Sequence, residues 1–122
     1  MRELKFRAWD TAKKRYAELE NEVLLANPNG FGSYGDRYIW EQYTGLKDKN
    51  GKEIYEGDIL KDESNDTAVV IWREHQAEWG IKWIHMGIED SLSHRMEWGH
   101  LNEVIGNIHE NRELLEQEDA KD

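Results

Sequence analysis

The sequence has no cysteine, a single proline and no long hydrophobic run. Without cysteine there are no structural disulfides, no thiolate zinc sites and no cysteine nucleophiles, which fits a reducing cytoplasm. No stretch approaches the roughly eighteen apolar residues of a membrane-spanning helix, so we expect no membrane association. The opening MRELKFRAWD alternates charged and apolar residues, whereas a signal peptide needs an unbroken apolar segment. At 122 residues the chain has the size of one domain and needs no metal to fold.

The charge is acidic and unevenly distributed. The formal net charge is -10, yet residues 1–16 carry six Lys/Arg against two Asp/Glu. An acidic surface repels phosphate backbones, so direct binding to nucleic acid is disfavoured. Two interpretations stay open: acidity that serves solubility, and an acidic surface that mimics nucleic acid and captures a basic partner.

Short strands separated by turn signals predict a mainly β protein, a small barrel or sandwich. ELKFRAW alternates as a half-buried strand, and the apolar run TAVVIWR predicts a central strand buried on both faces. For residues 16–26 the spacing slightly favours a helix, with a returning hairpin arm as the alternative. NPNGFGSYGD indicates a loop, and GIEDSLSHRMEWGH a loop with one helical turn. ENRELLEQEDAKD predicts a short helix capped by Asn111.

The segment TGLKDKNGKEIYEGDIL, residues 44–60, is suited either to a cation loop or to turns. A calcium loop needs oxygen ligands at positions 1, 3 and 5, Gly at 6 and Glu at 12. Counting from Asp48 places Lys52 at position 5 and Ile59 at position 12, and aligning Gly51 with position 6 fails as well. The spacing therefore argues against calcium.

The turn interpretation accounts for the same segment without a ligand. Asn50 and Gly51 form the strongest short hairpin signal, because both residue types tolerate positive φ. Gly57 can supply a second positive-φ position, and Asp58 can hydrogen-bond the backbone of that turn. We therefore predict that these four residues are structural.

No catalytic pattern is present: the sequence lacks HExxH, G-x-S-x-G and both common phosphate-loop patterns. Glu89, Asp90, His94 and His100 lie close in sequence and could bind a transition metal, but polar loop residues explain them equally well. We expect no catalytic residues, no metal and no cofactor, and hence no enzyme.

Aromatic residues are more numerous than a small core usually holds, with six Trp and five Tyr. Some of them are therefore expected at the surface, where they could bind a partner. The candidate binding surface consists of Tyr43, Tyr55, Trp72, Trp79 and Trp83.

Three segments resemble the YopX family of small phage and prophage proteins. They are MRELKFRAWD at the start, QYTGLKDKNGKEIYEGDIL in the middle, and EVIGNIHEN with ELL near the end. The resemblance implies an SH3-like small barrel over 37–109, an N-terminal strand or hairpin subdomain with a loop over 1–36, and a short C-terminal helix with an acidic tail over 110–122. It favours the hairpin arm over the helix near the N-terminus.

The family resemblance implies a setting but no activity. It implies a bacterial or phage cytoplasmic protein and allows self-association, and it supplies no catalytic residues. From this we expect a non-enzymatic accessory protein that binds a host or phage protein. The alternative is an acidic regulator of nucleic-acid transactions, either a DNA-mimic inhibitor or a binder of a nucleic-acid enzyme.

Overall fold

The computed structural model describes residues 5–17, 37–97 and 103–116. The chain divides into two compact units, residues 1–43 and 44–122, which are described separately. The described residues are mainly β, and their elements are β1 (Phe6–Asp10), β2 (Arg15–Tyr16), β3 (Tyr38–Lys47), β4 (Glu53–Tyr55), β5 (Asp58–Lys61), β6 (Thr67–Arg73), β7 (Glu78–Trp83), β8 (Glu89–Ser91), α1 (Leu92–Glu97), β9 (Glu103–Asn107) and α2 (Arg112–Leu115). None of these helices is long and apolar enough to cross a membrane.

The first unit is built on an antiparallel hairpin. β1 pairs with β2 on one side and with β3 on the other. This confirms the N-terminal hairpin. The helix predicted from residue 16 lies, beyond Ala17, outside the described residues, and so does the predicted loop over 27–36.

The end of β1 is buried on both faces, so the expected half-buried alternation is wrong there. Ala8, Trp9 and Asp10 are all buried. Trp9 meets the Tyr16 ring edge-on at 5.0 Å between ring centroids, and Asp10 is held by Arg37. Trp9 lies on the same face of the strand as Lys5 and Arg7, so its contact with Tyr16 of β2 is on the face that the sequence pattern assigns to solvent.

The second unit contains a five-stranded antiparallel sheet with the order β8-β7-β6-β5-β9. Four consecutive strands form a meander, and the fifth returns beside the first after the short helix α1. β5 therefore pairs on both sides, and its register with β9 shifts between Ile59 and Leu60, an irregularity that bends a strand. β3 continues into this unit, where β4 is its neighbour. This connection pattern is that of an SH3-like small barrel, as the family resemblance implies.

The core of the second unit is formed by side chains from β4, from the strands of the five-stranded sheet and from α1. Its buried members are Ile54, Leu60, Ala68, Val70, Ile81, Trp83, Leu92 and Val104. Leu92, the first residue of α1, is fully buried, so the helix contributes an apolar side chain at the point where the chain turns back toward β9.

The prediction that TAVVIWR is buried on both faces is wrong. Ala68 and Val70 point into the core, but Val69 and Ile71 are half-buried and Trp72 is 41% exposed. Val69 and Ile71 lie on the face of the sheet opposite the core, as is common in antiparallel sheets, whereas Trp72 is on the same face as Ala68 and Val70 but lies beyond the buried core.

Two local expectations near the C-terminus also differ from the structure. GIEDSLSHRMEWGH, predicted as a loop with one helical turn, contains the helix α1 but also the edge strand β8, which is too short and polar to show alternation. Asn111 precedes α2 but makes no side-chain capping bond to it. Its Oδ1 instead accepts a hydrogen bond from Asn107 N at 3.1 Å, in space that Gly106 leaves open by having no side chain.

Candidate functional site

Asp48 organises the first half of the segment 44–60. Its Oδ1 accepts hydrogen bonds from Asn50 N at 2.8 Å and Lys52 N at 2.9 Å. Its backbone closes the same loop, because Asp48 N donates to Lys52 O and Gly51 N donates to Asp48 O. Only Gly51 of the Asn-Gly pair has a positive φ, 82°, as in hairpin loops that end in a left-handed glycine.

The second oxygen of Asp48 reaches a distant strand. Oδ2 accepts a hydrogen bond from Val104 N in β9 at 2.9 Å. Burial acts to raise the pKa of Asp48, but the N–H groups of Val104, Lys52 and Asn50 outweigh it and hold the pKa below its ordinary value. Asp48 therefore fixes the hairpin loop to β9 as a charged carboxylate.

Gly57 and Asp58 form the second turn of the segment. Gly57 has a φ of 88°, and its N–H donates to Val70 O at 2.9 Å. Asp58 is 2% exposed, and its Oδ2 accepts a hydrogen bond from Tyr55 N at 2.8 Å. The two acids of the turns, Asp48 and Asp58, thus bind backbone N–H groups of the fold.

Asp90, one of the four residues considered above as possible metal ligands, forms an ion pair with a neighbouring arginine instead. Asp90 Oδ2 accepts a hydrogen bond from Arg95 Nε at 2.7 Å, an ion pair within the short segment β8–α1. His100 lies outside the described residues. Among 5–17, 37–97 and 103–116 no group of three or more His, Asp or Glu side chains is placed to hold a metal ion.

The five candidate aromatic residues differ in their exposure and in their contacts within each unit. Tyr43 belongs to the first unit, is 5% exposed, and has the Lys5 ammonium 5.6 Å from its ring centroid. Tyr55 is half-buried in β4. Trp83 is 8% exposed within the core, with the Arg95 guanidinium 5.7 Å from its ring.

The structure brings Trp72 and Trp79 together. They are direct cross-strand partners in β6 and β7, and their rings meet edge-on with centroids 5.1 Å apart. Trp79 is half-buried and packs against the core, whereas Trp72 is 41% exposed. Trp83 lies four residues further along β7, ~13 Å from Trp79 at the rise of a strand. We call the pair formed by Trp72 and Trp79 the tryptophan edge.

Arg73 supports the strands beside the tryptophan edge. Its Nη1 donates to Glu78 Oε2 at 2.8 Å, and its Nε lies 3.5 Å from Glu89 Oε1 in β8. To span β7 the side chain runs over Gly80, where an added Cβ would collide with Arg73 Cγ and Cδ. Sequence reasoning missed this contact, although a glycine inside a predicted strand is a signal of close approach.

The indole nitrogen of Trp79 is a buried donor. Trp79 Nε1 has no hydrogen-bond acceptor among the described residues. A buried unpaired N–H costs free energy, so the ring is held there by packing against Trp72 and the core rather than by a polar anchor.

Comparisons with known proteins agree with the fold. The family described as "YopX protein" matches residues 22–116. The crystal structure of protein EF1440 from Enterococcus faecalis is similar, with a TM-score of 0.62 and 27% identity over 94% of this chain and 99% of that chain. None of the curated proteins matches the sequence.

Fold and topology define the second unit as an SH3-like barrel module, accompanied by an N-terminal hairpin unit. The chain belongs to the YopX family.

Proposed function

We propose that this YopX-family chain is a non-enzymatic accessory protein of a phage or prophage that acts in the bacterial cytoplasm. Its role is to bind a host or phage protein through the tryptophan edge. The observation that carries the proposal is the exposure of Trp72, 41%, on a strand whose remaining core-facing residues are buried.

The chemistry of the tryptophan edge suits a protein ligand. Tryptophan is enriched among the residues that dominate binding energy at protein interfaces, because one rigid ring buries a large area. Trp72 cannot turn freely, since it meets Trp79 edge-on and Trp79 packs on the core. A preorganised ring avoids part of the entropy cost of binding.

Charge around the tryptophan edge favours a basic ligand side chain. The turn after β6 begins with the exposed Glu74, and Arg73 is already engaged by Glu78 and Glu89. A lysine or arginine of the partner that lies over the Trp72 ring would gain ~0.5–1 kcal/mol from the cation–π interaction.

The test is affinity purification from phage-infected or prophage-carrying cells, with quantitative mass spectrometry of the recovered proteins. Wild type is compared with Trp72→Ala and with Ile39→Ala, which removes an equally exposed apolar side chain in β3. We expect a protein that wild type and Ile39→Ala recover and Trp72→Ala loses, while all three variants remain folded, with a cooperative melting transition above the temperature of the assay. Equal recovery by Trp72→Ala would contradict the proposal.

A second candidate function rests on the net charge of -10. As an acidic mimic of nucleic acid, the chain would bind a basic nucleic-acid-handling protein over a broad surface. Such a complex would be insensitive to Trp72→Ala and would dissociate as salt rises, since screening weakens contacts between exposed charges. A complex that resists salt would argue against mimicry.

A further inference from the structure

A separate pocket opens at the other end of β6 and β7 from the tryptophan edge. It has a volume of about 420 Å³ and is lined by Val69 and Lys82 of the sheet, by the turn 84–87 and by Leu115 of α2. Its size falls within the ~300–1,000 Å³ of small-ligand and side-chain pockets.

The turn that forms one wall is fixed by backbone hydrogen bonds. Gly87 N donates to Trp83 O at 2.7 Å, and Trp83 N donates to Ile88 O at 2.9 Å. Gly87 adopts a φ of 71°, which allows the tight return. The wall therefore exists before any ligand arrives.

The same turn displays apolar side chains to solvent. Met86 is 59% exposed and Ile88 is 56% exposed. They are the two most exposed large apolar residues among the described residues. Methionine has a flexible, polarisable side chain that adapts to varied apolar ligands. An apolar group entering the pocket would thus contact Val69, Met86 and Leu115.

The charge of the pocket is opposite to that of the chain. The described lining includes Lys82 and no carboxylate, although the chain has 26 Asp and Glu residues. Glu89, directly across from Lys82 in β8, has its Oε1 3.5 Å from Arg73 Nε. Lys82 is exposed and lines the pocket, and within the described residues its ammonium makes no ion pair, so its charge is available to a ligand.

We propose that this pocket binds an acidic segment of a partner protein that carries an apolar anchor side chain. The anchor enters between Met86 and Leu115, and an adjacent carboxylate of the segment pairs with Lys82. Complementarity of charge selects this ligand: basic segments are repelled by Lys82, whereas they are favoured at the tryptophan edge. The pocket and the tryptophan edge are therefore independent sites with opposite preferences.

The test uses two labelled peptides of equal length and apolar content. One has the sequence Asp-Glu-Leu-Leu-Glu-Asp and the other Lys-Arg-Leu-Leu-Lys-Arg, and binding is followed by fluorescence anisotropy at low salt. We expect saturable binding of the acidic peptide and at least tenfold weaker binding of the basic one. Methyl-labelled methionine NMR locates the site: the Met86 signal should shift on titration, while that of Met96, which packs against the core, should stay.

Charge reversal separates the pocket from general electrostatics. Lys82→Glu should weaken binding of the acidic peptide at least tenfold. Lys47→Glu makes the same change at an exposed position of β3 and should change the affinity less than twofold. Trp72→Ala should leave the affinity for the acidic peptide unchanged. A failure of the pocket proposal can therefore be told apart from a failure of the proposed function, which depends on Trp72.

Three results would overturn the proposal. One is the absence of saturation by the acidic peptide, and another is an equal effect of Lys82→Glu and Lys47→Glu. The third is a Met86 signal that shifts with protein concentration alone, which would make a second copy of this chain the occupant.

Discussion

Replacing Asp48 with alanine removes one carboxylate that joins two parts of the barrel. The carboxylate accepts hydrogen bonds from Asn50 N, Lys52 N and Val104 N, at 2.8, 2.9 and 2.9 Å. The first two bonds lie in the hairpin loop, and the third crosses 56 positions of sequence to β9. In Asp48→Ala the Val104 N–H is left buried without this acceptor.

A second loop of the same design supplies the reference value. Asp62 Oδ1 accepts hydrogen bonds from Ser64 N at 2.8 Å and Asp66 N at 2.9 Å, and Asn65 has the left-handed φ of 69°. This loop is exposed, and among the described residues the Asp62 carboxylate accepts no hydrogen bond from another strand, so Asp62→Ala should cost about 1 kcal/mol. Asp48→Ala adds the orphaned buried N–H, about 2 kcal/mol more, for a total of about 3 kcal/mol.

Urea denaturation of wild type, Asp48→Ala and Asp62→Ala measures both costs, with far-UV circular dichroism as the probe. A loss of about 3 kcal/mol in a domain of this size lowers the melting temperature by about 10 °C. The difference between the two variants isolates the bond to Val104 because the loop geometry is matched. Equal losses in free energy of unfolding would refute the view that Asp48 ties the loop to β9.

Three further changes test other parts of the structure. Gly57→Val places a β-branched side chain at a φ of 88° and should lower the free energy of unfolding by at least ~1–2 kcal/mol; an unchanged melting temperature would contradict this. Ala77→Gly relieves a left-handed φ of 50° and should raise the free energy of unfolding by ~0.5–1 kcal/mol, whereas a loss would show that the turn is unstrained. The hydrogen bond from Arg37 lowers the pKa of Asp10 to about 2, so its stabilising effect is complete above the unfolded pKa, about 4, and is lost as the pH falls toward 2. Asp10→Asn should therefore flatten the fall in stability measured between about pH 5 and pH 2, and an identical slope would count against that role.

Local sequence signals locate most strands and several turns of the barrel. EWGIKW alternates, and β7 places Ile81 and Trp83 in the core while Lys82 is exposed. The loop 62–66 shows the limit of such signals: it has the geometry of the Asn-Gly loop without a glycine, because Asn65 also adopts the left-handed conformation. Side-chain periodicity and turn residues act over a few positions, so they can be recognised in the sequence alone.

The contacts that shape the candidate sites act over longer distances. The bond from Val104 N to Asp48 and the path of Arg73 across Gly80 depend on which strands become neighbours. The exposure of Trp72 depends on where the core ends along β6, and TAVVIWR alone predicts burial there. The pocket beside Lys82 forms because α2 brings Leu115 to the turn after β7. Gly80 gives a local signal of close approach, but neither the identity of its neighbour nor the other contacts follow from local pattern.

The most direct test of the central claim is calorimetric titration of the protein that affinity purification recovers, with wild type and Trp72→Ala compared at one salt concentration. A central tryptophan at an interface contributes about 2–4 kcal/mol, so Trp72→Ala should raise Kd by about 30-fold or more. A Kd within twofold of wild type would contradict binding through the tryptophan edge.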